Sequence, residues 1–445
     1  MKQNDSSRVT VSKAIDLVRI QFNNDCYKNR SKIVKQIIPY GSGTVEIDIP
    51  DNAMIIEPQD VPDFDEQVVL ADAMANPVGA DSIEKFLAGG EKVLVIVNDG
   101  TRPTPTGAVM ETLLPLLEGK HVTVMVATGV HRGATDAEMR RILGPTYDAL
   151  KNTVVSHDAR KDDDMVYLGV SGNGTELSVN KAVVESDRII AIGSVEPHYF
   201  AGYTGGRKAI MPGVASYRSI EMNHKMALDP RAKALALEGN PVHEDMIDVL
   251  NLLEDKPIYA IMTVMNKYHK VYAATTGDIT GSFYAAIDKA NEVFSVKLEA
   301  KADIVLTVAK PPMDIDLYQS QKAIDNGKLA LKEGGIMILV SSCRDGVGEE
   351  SFYNMLSSSD TPEEVLERIK GEYKLGYHKA GKMAEVSSWA DIWVISDLSD
   401  KKWKDIFIRQ FKTVQEAVDE AVKAKGNAAS MVFMPDGCVT VPRLN

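Results

Sequence analysis

The residues best suited to chemistry lie in one stretch, SVEPHYFAGYTGGRKAIMPGVASYRSIEMNH, from Ser194 to His224. It holds His198, Lys208 and His224, three nitrogen side chains able to serve as base, nucleophile or metal ligand. Gly202, Gly205, Gly206 and Gly213 are interleaved with them. Glycines let a chain bend tightly or approach a ligand closely, and their amides can face an anion. A lone histidine in a loop is more often structural than functional. Two histidines bracketing a lysine in a glycine-rich loop are a rarer coincidence.

Other sets stand beside this one. Asp99, Thr101 and Arg102 fall in NDGTRPTP. The arginine fork suits a carboxylate or phosphate, although an Asp–Arg pair can also simply pin a loop. His131 sits in ATGVHRG between Gly129 and Gly133, where it cannot be a helix-face core residue. His157, next to Asp158, is as readily a satisfied structural histidine. Tyr318, Gln319, Gln321 and Lys322 open a helix, where the dipole favours anions; the plain alternative is a solvated helix end. His121, His243, His269 and His378 read as surface residues, with His378-Lys379 a partial exception. There is no HExxH, GxSxG or GxxxxGK[ST] run, and GYTGGRK does not fit the dinucleotide fingerprint.

The elements that must position these residues read as α/β. Lys92–Val97, His121–Ala127, Thr153–Asp158 and Arg188–Gly193 are apolar runs of the kind buried in parallel sheets, each ending in a polar loop. Helical spacing follows the first two, over Gly107–Leu117 and Thr135–Leu143, the latter opened by a capping-box pattern. Open sheets bind ligands where strand ends meet helix starts. A long helix over Ile279–Val296 closes this register, and a fresh one opens with the strand Asp303–Ala309 and the helix Leu317–Lys332. The expected architecture is two α/β domains with mostly parallel sheets and an active-site cleft between them. Residues 1–36 form an extension, 37–300 the first domain with the glycine-rich loop, and 301–437 the second; the tail 438–445 returns to the first. Ile38–Asp51 reads as a hairpin. Ser12–Phe22 has helical spacing and packs on the body or on a second copy of the chain.

A chain of 445 residues exceeds one ordinary core. Hydrophobic residues at 44% and charged residues at 25% are a soluble balance, and a net charge of −13 argues against nucleic acid or an anionic membrane surface as partner. Cys26, Cys343 and Cys438 are scattered and lack a CxxC. That usage fits a reducing cytoplasm rather than a disulfide framework. The first residues lack the apolar core of a signal peptide, and no apolar run reaches membrane-spanning length.

DGTRPTP, ATGVHRG, PHYFAGYTGGRKAIMPG, NHK and LYQSQKA, in that order, resemble the nickel-dependent lactate racemase family from about residue 38 to the end. The resemblance implies a nickel-pincer nucleotide cofactor, made by separate biosynthetic enzymes and tethered at Lys208, with His224 as the nickel ligand. It implies His131 and His198 as catalytic bases. Asp99, Thr101, Gly205 and Gly206 join Lys208 on the cofactor side, with Asp99 orienting a neighbouring group. Arg102, Tyr318, Gln319 and Lys322 fall on the substrate side, and a second-domain aromatic, for which Tyr377 is a candidate, lies near the cofactor. The implied activity is racemisation or epimerisation of a small 2-hydroxy acid by hydride transfer through a 2-keto acid. The side chain of that acid stays open. Rival readings from other classes are a non-catalytic small-molecule or nucleotide-binding protein and a hydrolase with a His-ligated metal.

Overall fold

A computed structural model describes residues 33–444. Cys26 and the helix expected over Ser12–Phe22 lie outside the described residues. Two six-stranded sheets organise the rest. The first runs in the order Val271–Asp278, Ile258–Met265, Arg188–Ser194, Lys92–Asn98, His121–Ala127, Val154–Ser156. All neighbours are parallel except the antiparallel edge pair Ile258–Met265 and Val271–Asp278. From Lys92–Asn98 the chain works outward to one edge, and from Arg188–Ser194 to the other. The reversal point therefore lies between these two strands, which is where an open sheet leaves a crevice at its carboxyl ends.

The central strands are apolar throughout because both faces are covered. Leu94, Ile96, Ile189 and Ala191 enter one core, and Val93, Val95, Val97, Ile190 and Ile192 the other. The second sheet, Arg409–Gln410, Asp391–Ile395, Leu331–Val340, Ala302–Val308, Met431–Met434, Met54–Ile55, is parallel at every pairing. Its strands alternate likewise, with Val305, Met337 and Leu339 on one face and Leu306, Ile338 and Trp393 on the other. No described helix is long and apolar enough to cross a membrane.

The division expected at residue 37 needs correction. The hairpin Ile33–Tyr40 and Gly43–Pro50 forms as expected, but its buried Ile38, Ile47 and Ile49 pack into the core of the second sheet, with Leu306, Ile338 and Trp393. Met54–Ile55 then adds as the edge strand beside Met431–Met434. The alternation in the hairpin fixed which side would be buried, not which sheet would bury it. At the other end Val441–Leu444 pairs in parallel with Ser295–Leu298. Val296 and Leu298 of that strand also enter the second unit's core, while Val439 packs against the first unit's. The tail therefore stitches the junction.

Ile47→Ala should lower the stability of the second unit by about 2–5 kcal/mol, the usual cost of emptying a buried aliphatic site. Of the three tryptophans of the chain, Trp393 and Trp403 lie in that unit's cores and Trp389 packs against one of them. Urea unfolding followed by tryptophan fluorescence reads the change directly, and an unmoved midpoint would contradict this packing.

Candidate active site

The loops at the reversal point carry the expected residues. After Lys92–Asn98, Asn98 Nδ2 donates to Thr104 Oγ1 at 2.7 Å, and Thr104 donates to Ser194 Oγ at 3.1 Å, tying the loop to the neighbouring strand end. Asp99 is thereby set to receive His131 Nδ1 at 2.7 Å, while its other oxygen accepts from the Thr101 hydroxyl and amide at 2.6 and 3.2 Å. Burial opposes ionisation of Asp99, but the hydrogen bonds from His131 and Thr101 outweigh it and keep its pKa below the usual carboxylate value. A depressed carboxylate pKa stabilises the fold above the unfolded value and loses that effect as pH falls through the folded one. Asp99 is therefore ionised across the neutral range.

The second loop is built on backbone that only glycine tolerates. Pro197–His198 pairs with Gly202–Tyr203, and Gly202, Gly205 and Gly206 have φ of 76°, 81° and 53°. A Cβ on Gly206 would lie 2.8 Å from the Phe283 ring, so the loop seats directly on that side chain. Arg207, fully buried, locks the turn. Its guanidinium donates to the carbonyls of Ala201 and Gly205 at 2.7 and 3.2 Å and to His243 Nδ1 at 3.1 Å, with its carbon 4.1 Å from the Phe283 ring centroid. The Gly206 amide points inward to Met262 Sδ at 3.1 Å, so it does not face an anion. With the loop so held, Lys208 stands on the short turn Gly206–Ala209, and His224 on the last turn of the helix Tyr217–Lys225.

These side chains meet around Phe200. Measured from its ring centroid, the rings of His198, Tyr199, His224 and His378 lie at 4.6, 4.7, 5.0 and 5.3 Å, and Lys208 Nζ at 5.7 Å. Burial is the first cause of the downward shift of each nitrogen base and favours its neutral form. The imidazole of His198 is pushed well below its ordinary value by burial, then by Lys208, Arg102, His224 and Lys322. That of His224 falls to about 3 through burial, Lys208 and His131. The Lys208 amine is driven well below its ordinary value by burial, then by Arg102 and Arg207. A neutral amine is a nucleophile and a neutral imidazole a metal ligand.

The second unit closes over this cluster. His378, buried on the helix Tyr377–Ser387, lies within hydrogen-bond reach of the hydroxyls of Tyr199 at 3.3 Å and Tyr373 at 3.1 Å. Its neighbour Lys379 sits 3.7 Å from the centroid of the Tyr318 ring and donates to the Tyr318 carbonyl; burial first, then Lys322, brings its pKa down to about 7. On the facing helix Leu317–Gly327, Lys322 Nζ has Met313 Sδ at 3.4 Å as its hydrogen-bond partner. Gln319 sits partly buried at the first turn of that helix, its amide capped by Asp316 at 2.7 Å. In the first unit Arg102 donates to Glu196 at 3.0 Å.

Asp99, Arg102, His131, His198, Lys208 and His224 thus gather at one crevice of the first sheet, and Tyr318 and Lys322 reach it from the second unit, with Gln319 on the same helix turn. His157 does not join them. It is buried against the Ala215 carbonyl at 2.9 Å and Asn180 at 3.4 Å, a structural role. His243 and His378, expected at the surface, are buried. His121 and His269 are exposed as expected. Tyr377 packs on the second unit's core, as Tyr318 and Tyr373 do, and the aromatics with contacts at the cleft are Tyr199, Phe200, Tyr318 and Tyr373. Sequence reasoning passed over Phe200, Tyr199 and Glu196 although all three lie inside the stretch it singled out. Their flanking position against His198 was the available signal. Among the described residues no three His, Cys, Asp or Glu side chains converge as a metal site. A hydrolytic metal held by protein ligands alone thus finds no ligand set there.

Family models for the lactate racemase N-terminal domain and the lactate racemase C-terminal domain match residues 40–235 and 297–441. Lactate racemase of Thermoanaerobacterium thermosaccharolyticum is 31% identical over 424 residues, 91% of this chain and 98% of the relative. That of Lactiplantibacillus plantarum is 30% identical over 384 residues, 84% of this chain and 90% of the relative. The lactate racemase apoprotein structure from T. thermosaccharolyticum aligns with a TM-score of 0.86 at 30% identity, covering 92% of this chain and 100% of that one. A protein from Thermotoga maritima, at 15% identity and TM-score 0.65 over 86% and 98% of the two chains, shares the fold alone. Domain models over both units and relatives aligned across most of its length place the chain in the lactate racemase family, as an enzyme of the racemase class.

Proposed function

We propose that the protein racemises lactate or a closely related small 2-hydroxy acid, with a nickel-pincer nucleotide tethered at Lys208 and its nickel held by His224. The observation that carries this reading is the gathering of His198, Lys208 and His224 around the single ring of Phe200, where burial pushes all three towards the neutral form. The donor set fits such a group. One neutral imidazole, without two further protein ligands, suits a metal whose other bonds come from an organic frame. A neutral amine beside it suits covalent attachment. Separate biosynthetic enzymes supply the group, and the protein works in the cytoplasm, where the thiols Cys343 and Cys438 stay reduced.

Inverting carbon 2 of a hydroxy acid requires its hydrogen to leave one face and return to the other. That hydrogen is too weakly acidic for easy deprotonation; a nickel-pincer nucleotide held by Lys208 and His224 would supply hydride-accepting chemistry instead. The chain provides the rest. His131, held through Nδ1 by Asp99, presents Nε2 as acceptor for the hydroxyl proton, and the carboxylate stabilises the imidazolium that forms. His198, which has no carboxylate partner and accepts the Ala201 amide at Nδ1 at 3.3 Å, is the corresponding base for the other enantiomer. Arg102, Gln319 and Lys322 bind the carboxylate and the oxygen that becomes a carbonyl. The contact of His378 with Tyr199 holds the second unit over the site and limits water there.

Co-expression with cofactor-building enzymes, followed by chiral chromatography, tests the reading. The wild type should interconvert D- and L-lactate and carry a covalent adduct on Lys208 by peptide mass spectrometry. Lys208→Ala should carry none, and His131→Ala or His198→Ala should lose about 10²–10⁴-fold in kcat. Full activity in Lys208→Ala would sink the tether.

A further inference from the structure

Glu196 lies in the site and has no part in the reading above. It follows directly on the strand Arg188–Ser194 and faces the loop after Lys92–Asn98, so its ion pair with Arg102 spans the crevice between the two central strands. Its backbone is clamped by the buried Thr204: the Glu196 amide donates to Thr204 Oγ1 at 2.9 Å, and the Thr204 amide returns a bond to the Glu196 carbonyl at 2.8 Å. The glycine-rich loop that positions Lys208 therefore also fixes Glu196. The carboxylate acts on the second unit as well. Burial lowers the pKa of Lys322 and Arg102 lowers it further, while Cys438 and then Glu196 oppose them. Glu196 accepts from one nitrogen of Arg102 and leaves the rest of the guanidinium for a ligand. Lys322, bonded to a weak sulfur acceptor, is equally available.

We infer that Glu196 is a specificity-determining residue, matching the Arg102–Lys322 anion site to a monocarboxylate and repelling a second carboxylate on the substrate. The inference rests on the racemase reading and names the acid it selects. With Asp99 committed to His131, the two cations Arg102 and Lys322 and the one carboxylate Glu196 leave one net positive charge among the three, the complement of a monoanion. A dianion that satisfies the two cations must bring its other charge towards Glu196, and like charges in a partly buried site repel strongly. Rejection by a built-in like charge is a common route to specificity.

The test compares wild type, Glu196→Gln and Glu196→Asp, each loaded with cofactor by co-expression. In Glu196→Gln the ratio of kcat/KM for malate to that for lactate should rise on the order of ten- to a hundred-fold, mostly through KM. Glu196→Asp, which keeps the charge, should stay near wild type. Calorimetric binding of the non-reacting pair malonate and propionate to the same proteins reads the same preference without turnover. A ratio unchanged in Glu196→Gln, or both anions weakened alike as a loop-pinning role demands, overturns the inference. A wild type that interconverts no 2-hydroxy acid overturns the racemase reading instead, and the malonate-to-propionate ratio still decides the role of Glu196.

Discussion

Desolvation of nitrogen bases around Phe200 is the constraint on which the site depends. In water Lys208 would be an ammonium and the histidines would titrate near pH 6.5. Packed against one ring and among one another, His198, Lys208 and His224 have no carboxylate among the groups that shift them. Each positive charge would have to be buried beside others, so neutrality is the cheaper state. The carboxylates of the crevice are committed elsewhere, Asp99 to His131 and Glu196 to Arg102. That separation lets one small space hold an uncharged nucleophile, an uncharged metal ligand and a carboxylate-backed base together.

The fold maintains this arrangement at some conformational cost. Left-handed backbone at Gly202, Gly205 and Gly206 folds the loop back onto the sheet, where side chains at these positions would collide with Ala236, Val195 and Phe283. Buried Arg207 holds the loop from behind with three hydrogen-bond partners. Burial brings its pKa down to about 9, still a cation at neutral pH, and its charge further suppresses protonation of Lys208. The residue that shapes the loop thus also tunes the amine that the loop presents.

Much of this was legible in the sequence. Lys92–Asn98, His121–Ala127 and Arg188–Ser194 announce themselves as continuous apolar runs because both faces of their sheet are covered, and the polar loops they feed follow. The motif around His198, Lys208 and His224 carried the family resemblance, and the structure brings those three together. What was hidden depended on long-range packing. The hairpin isoleucines alternate correctly but could not say which sheet they cover. The helix Tyr377–Ser387 went unrecognised: it starts at a left-handed Gly376 without a side-chain cap, and its inward face carries His378, Lys379 and Lys382, polar residues that mimic an exposed surface. The amide of Gly206 looked free to face an anion, and only Met262, 56 residues on, turns it inward.

The central claim is that His198 and His224 are held neutral by burial among positive neighbours. Proton or nitrogen NMR of histidine-labelled, unloaded protein, assigned with single His→Gln variants and followed between pH 8 and 5, measures this directly. The account predicts that neither ring titrates in that range. Titration of either His198 or His224 near the ordinary imidazole value would contradict it.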